Sequence, residues 1–194
     1  MTKRSKTVAL AIVGAASFSL AACREEAVDA QAFPDLHRCV AAVGPPSLFS
    51  EQDCQTAFND AQALNAETAP RYDSLEVCEE QYGAGNCGSE AQAVTGGSGS
   101  IFMPLLAGYL MGNLLGGGRG IGAQPLYRTS DGRFTTPNGG ATYSNNTGKA
   151  KLNASTFNKA PTTLGKAPMT KATATSRGGF GTSSTSTRSF GFGG

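Results

Sequence analysis

Four cysteines, Cys39, Cys54, Cys78 and Cys87, fall within a stretch of about 50 residues that holds few large apolar side chains. A segment so small rarely folds on its core alone, and crosslinks or a metal are the usual supplement. A metal is disfavoured. There is no CxxC, the chain has a single histidine, and Asp35-x-His37-x-Cys39 is a poor ligand set. His37 reads instead as a surface or turn residue. Disulfides require an oxidising compartment, so the N-terminus decides whether they are available.

The chain opens with a basic head (Lys3, Arg4, Lys6), about eleven apolar residues and then small residues, the three parts of a secretory signal. The apolar part is short of the roughly 20 residues a spanning helix needs. Leu20-Ala21-Ala22-Cys23 resembles the lipobox of bacterial lipoproteins. That resemblance implies cleavage before Cys23, acylation of Cys23 and a membrane anchor made stable by more than one acyl chain. Arg24 stands where inner-membrane lipoproteins commonly carry aspartate. The expected location is therefore the cell envelope, lipid-anchored, at the outer membrane and facing the periplasm. Residues 1–22 are the signal and 23–38 a tether.

In that compartment the remaining even set of cysteines reads as two disulfides. Three pairings are possible, and Cys39–Cys54 with Cys78–Cys87, the pairs nearest in sequence, is favoured.

The net charge of +2 conceals a division. Residues 23–100 hold three basic against thirteen acidic side chains, and residues 121–194 hold nine basic against Asp131 alone. Of these regions only the acidic head reads as foldable. Cys54, Ala57, Phe58, Ala61 and Leu64 share a helical face. Ser50 is a natural N-cap with Glu51 and Asp53 in the first turn, and the helix should stop before Pro70. A second helix is expected from Asp73 or Ser74, with Leu75, Cys78 and Tyr82 on one face and Gly83 after its end. Glu79 and Glu80 are adjacent on that helix and read as solvated surface. The expected fold is mainly α: a small disulfide-stapled helical domain over 39–88 and a linker over 89–100.

Residues 101–120 are apolar and glycine-rich. Gly108, Gly112, Gly116 and Gly120 recur every four residues, which as a helix would line one stripe suited to close packing against a second helix. A flexible linker and a full membrane span are the competing readings. The helix, with self-association through 101–120, is the expectation. Residues 121–194 are rich in Gly, Ser, Thr, Ala, Asn and Lys and read as a long disordered basic tail. An anionic envelope surface is its expected partner. Nucleic acid is set aside because the protein is exported.

Several segments in order resemble one family: the lipobox, "CQTAFNDAQALNAETAPRYDSLEVCEEQYGAGNC" (54–87), "SGSIFMPLLAGYLMG" (98–112), "QPLYRTSDGRF" (124–134) and "RGGFG" (177–181). This layout is similar to the YgiB-like family of bacterial lipoproteins. The resemblance implies the localisation and a shared plan, with no activity, cofactor or catalytic residue. No Gly-x-Ser-x-Gly and no assembled triad are visible either. The expected function is non-enzymatic: an envelope lipoprotein acting by protein or envelope interaction. The alternative is an accessory or regulatory subunit of an envelope enzyme or transporter.

Overall fold

The computed structural model describes residues 27–45, 47, 49–114, 120–139 and 142–176. Cys23 and Gly116 lie outside them.

The fold is organised by a sheet, which corrects the expectation of a mainly α protein. Strands β1 (Ala27–Phe33), β4 (Gly108–Asn113), β5 (Ile121–Arg128), β6 (Phe134–Thr135), β7 (Thr142–Tyr143) and β8 (Gly148–Asn153) form one sheet in the order β7-β6-β5-β4-β1-β8. All neighbours are antiparallel, and the sheet curls into a half-barrel. A two-stranded ribbon pairs β2 (Cys87–Ser89) with β3 (Phe102–Pro104).

The helices cover parts of this frame. α1 (Leu36–Ala41) and α2 (Glu51–Thr68) belong to a core with Phe33, Phe49, Tyr109, Met111 and Ala123. α2 begins where its cap predicts. Ser50 Oγ accepts from the Asp53 N–H at 3.2 Å, and Asp53 Oδ2 accepts from the Ser50 N–H at 2.9 Å, a reciprocal capping box. It ends at Thr68, before Pro70. α3 (Leu75–Tyr82) is capped by Ser74, whose Oγ accepts from the Val77 N–H, and Gly83 follows with φ +86°. Two short helices, α4 (Glu90–Ala93) and α5 (Lys171–Ser176), complete the set. Cys39–Cys54 joins α1 to α2, and Cys78–Cys87 joins α3 to β2.

The glycine-rich stretch is not a helix. It supplies β3 and then β4, a central strand hydrogen-bonded to β1 on one side and β5 on the other. Five consecutive residues of β4 are buried because both sheet faces are covered. Tyr109 and Met111 face the helices, while Leu110 and Gly112 face the opposite core with Leu126. Gly112 pairs directly with Gly122 on β5. A Cβ built at Gly112 would lie 2.3 Å from the Phe157 ring, and one at Gly122 would lie 3.0 Å from it. The missing side chains thus admit an aromatic ring of the same chain, and the packing they permit is intramolecular. Gly108 begins β4 and Gly120 precedes β5. Among the described residues no helix is long and apolar enough to cross a membrane.

Nor is the described part of the basic segment, 121–139 and 142–176, a disordered tail. It contributes β5 to β8, a 3-10 turn (Ala154–Phe157) and α5. The acidic head and the basic segment share one sheet, since β1 of the head lies between β4 and β8. Three ion pairs cross between them: Lys151–Asp29 at 2.8 Å, Lys159–Glu67 at 2.7 Å and Lys171–Glu80 at 2.5 Å. Each is exposed, so each adds little to stability. Together they show where much of the sequence's charge division is resolved.

Candidate functional site

The most elaborate polar cluster surrounds Arg71, the single basic residue between Arg38 and Arg119. Arg71 follows the end of α2, and its side chain is 3% exposed. Burying a guanidinium requires a countercharge and nearly complete hydrogen bonding. Nε donates to Glu90 Oε1 at 2.6 Å. Nη1 donates to the Ala69 carbonyl at 3.2 Å and to Thr163 Oγ1. Nη2 donates to the Ala66 carbonyl at 2.7 Å. Glu90, at the start of α4, uses its second oxygen to accept from the Ser98 N–H at 3.0 Å. The Ser98 N–H and then the Arg71 guanidinium hold the Glu90 carboxyl below the usual carboxylate range.

Backbone bonds fix the same residues. The Met169 N–H donates to the Arg71 carbonyl, and Tyr72 and Phe102 exchange both backbone hydrogen bonds. Gly97 packs onto the Glu90 backbone so closely that a Cβ there would lie 2.5 Å from the Glu90 carbonyl oxygen. An open cavity of ≈ 480 Å³ borders the pair and is lined by Arg71, Glu90, Ile101, Leu164 and Lys166 among others. Arg71 and Glu90 in its wall are committed to holding the end of α2, the start of α4 and the chain segments at 98 and 163 together. The cavity presents no nucleophile paired with a base.

Beneath the cluster lies a tyrosine stack. Tyr72–Tyr82 and Tyr82–Tyr127 meet edge to face at 6.1 and 5.9 Å between ring centres, a favourable aromatic geometry. Burial pushes the hydroxyls of Tyr82 and Tyr127 well above the ordinary phenol value. On the α1–α2 side, burial raises Tyr109 to about 12. A second depression, of ≈ 360 Å³, lies over β1, β7 and β8 and is lined by Ala30, Ala32, Leu110, Tyr143 and Leu152 among others.

The sequence-predicted residues distribute as follows. Cys39, Cys54, Cys78 and Cys87 are all engaged in disulfides. His37 is exposed on α1. Glu80 pairs with Lys171, and Glu79 accepts from the Gly85 N–H at 2.7 Å. Gly108 and Gly112 are brought together on β4, away from any helix stripe. Among the described residues no group of three His, Cys, Asp or Glu side chains is placed to hold a metal. Sequence reasoning missed the Arg71–Glu90 pair. Its available signal was an isolated arginine in a long acidic stretch; its partner is 19 residues away, beyond any local helical spacing.

These features define a small, doubly disulfide-linked, sheet-centred protein whose polar cluster binds chain segments to one another. Residues 27–191 match the model of a family described as protein of unknown function (DUF1190). The chain belongs to this family, in agreement with its resemblance to YgiB-like proteins. It is 38% identical over 190 residues to a UPF0441 protein of Erwinia tasmaniensis, covering 91% of this chain and 79% of the relative. It is 34% identical over 195 residues to a UPF0441 protein of Pectobacterium carotovorum subsp. carotovorum, covering 93% of this chain and 81% of the relative. No solved structure matches.

Proposed function

We propose that this protein is a non-enzymatic lipoprotein of the bacterial cell envelope, anchored through acylated Cys23 and acting by interaction with envelope components. The observation that carries the reading is the conjunction of the lipobox with two disulfides whose cysteines lie in the interior cores. Disulfides persist in exported compartments and are rare in the cytosol. The buried charges support the non-enzymatic part, since Arg71 and Glu90 are fixed by each other and by backbone groups. Arg24 supports the outer membrane as the destination.

Mass spectrometry of the protein purified from membranes should find Cys23 at the N-terminus carrying acyl mass. Cys23→Ser should abolish that mass and the membrane attachment. A free Cys23 thiol in a chain still bearing residues 1–22 would refute the proposal.

A further inference from the structure

Residues 162–176 run as a strap across the ends of α2 and α3. The stretch 158–176 holds Lys159, Lys166 and Lys171 and no acidic residue. Two of these lysines meet the acidic head, Lys159 at Glu67 on α2 and Lys171 at Glu80 on α3. Between them the strap is extended. The Met169 N–H donates to the Arg71 carbonyl at 2.7 Å, and the Asp73 N–H donates to the Met169 carbonyl at 3.1 Å. This is a parallel bridge between Met169 and Tyr72, and Tyr72 is bridged on its other side to Phe102 of β3. The strap is thus laid beside the β2–β3 ribbon, through Tyr72, as a further strand would be.

Its grip is peripheral. Of residues 162–176 only Ala174 is buried, in the core that holds Tyr72, Val77 and Tyr82. Met169 is half-buried, and Leu164 is 52% exposed. Both ion pairs are exposed and contribute little. Ala160, just upstream, is buried, so the loosely held stretch begins at Pro161. Segments with few buried apolar contacts open before the rest of a fold, because little offsets the entropy of ordering each residue. Opening costs Arg71 one partner, Thr163. Glu90 and the Ala66 and Ala69 carbonyls stay in place, so the guanidinium keeps its countercharge.

We infer that residues 162–176 are a displaceable occupant of a strand-docking groove, formed by the Arg71–Asp73 backbone and flanked by Glu67 and Glu80, and that the partner which replaces them is an extended, lysine-bearing segment of another protein. Strand addition takes its affinity from main-chain hydrogen bonds, and any extended peptide can make those at the Arg71 carbonyl and the Asp73 N–H. The two flanking carboxylates select lysines, as they do in the resident strap. The inference rests on the interaction reading above and not on the acyl anchor.

A fluorescein-labelled peptide with the sequence of residues 158–176 is titrated with the purified full chain, and anisotropy is read. Lys159→Ala with Lys171→Ala in the protein loosens the resident strap without touching a core. Apparent affinity scales with the fraction of open groove, so this variant should bind the peptide about fivefold tighter than the parent does, for two exposed pairs removed. A peptide carrying Lys159→Glu and Lys171→Glu should bind about tenfold more weakly, and Glu67→Lys with Glu80→Lys in the protein should restore it. Hydrogen exchange should run at least about tenfold faster at Met169 and Ala174 than at Leu110 and Met111 of central β4. Equal exchange at the two places, or a peptide that binds the loosened variant no better than the parent, overturns the inference. So does a dimer, seen by light scattering, that excludes the peptide, since the groove would then belong to a second copy's strap. None of these failures bears on acyl mass at Cys23, which tests the envelope reading separately, and loss of that mass would leave the groove standing.

Discussion

The two disulfides close two differently built halves. Around Cys39–Cys54 the core is mostly apolar: Phe33, Phe49, Ala57, Ala61, Met111 and Ala123 pack with a single tyrosine, Tyr109, between α1, α2 and the sheet. Around Cys78–Cys87 the core holds three tyrosines and borders the buried Arg71–Glu90 pair. An apolar core accepts many packings of similar energy, whereas buried charges are tolerated only with their partners in place. The first half therefore depends on volume and the second on a specific set of partners.

The largest expected effect breaks the second half alone. Glu90→Ala leaves Arg71 buried without its countercharge and should cost about 3–5 kcal/mol, read as a lower urea midpoint. Hydrogen exchange should locate the loss around Tyr72 and Val77. If Ala57 loses protection equally, the two halves are one cooperative unit.

Acid separates the halves next. The folded Glu90 is held below the unfolded carboxylate value of about 4.3. Its stabilisation is thus present above that value and lost as pH falls through the folded one. Glu90→Gln should remove this acid-dependent loss. Burial raises Tyr82, Tyr127 and Tyr109, so alkaline stability is present below about pH 10 and falls above it in both halves.

Removing the crosslinks sharpens the comparison. In the chain-entropy model the 15-residue separation of Cys39–Cys54 is worth about 3 kcal/mol, and the shorter Cys78–Cys87 loop about 2.5. Paired Cys→Ala variants at each bridge, compared by urea unfolding, test that order. Equal midpoints for the second-bridge variant and the parent would show that the Arg71 network alone holds that half.

A smaller effect concerns the shared sheet. Gly112→Ala forces the Phe157 ring out and should destabilise by about 1–3 kcal/mol. Phe157→Ala in the same chain should relieve much of that clash, so the two changes should be non-additive. Smallest is Lys171→Ala, which removes an exposed ion pair and should change stability by less than about 1 kcal/mol.

Two helices of the head, α2 and α3, were legible because their signals are local, whereas α1 and α4 were not expected. Ser50 and Asp53 close a capping box within one turn, and Pro70 follows within two residues of the helix end. The start of α3 was legible to within a residue, with Ser74 taking the cap. Residues 101–120 were misread for a geometric reason. A spacing of four residues lies close to one helical stripe and also, being even, on one face of a strand. A short apolar run buried on both faces has no period that separates the two.

What the sequence by itself determined is the local layer: an even set of cysteines within the described residues, two helix starts and a division of charge. Only the tertiary structure decided that Gly112 admits Phe157, that Arg71 meets Glu90, and that Lys151, Lys159 and Lys171 meet acids of the head. The low-complexity segment has few large aliphatic side chains to announce a core. It orders by backbone pairing to β1 and by contacts over 90 residues away in sequence. Such pairings are set by where strands lie in space, and no local window of residues encodes that.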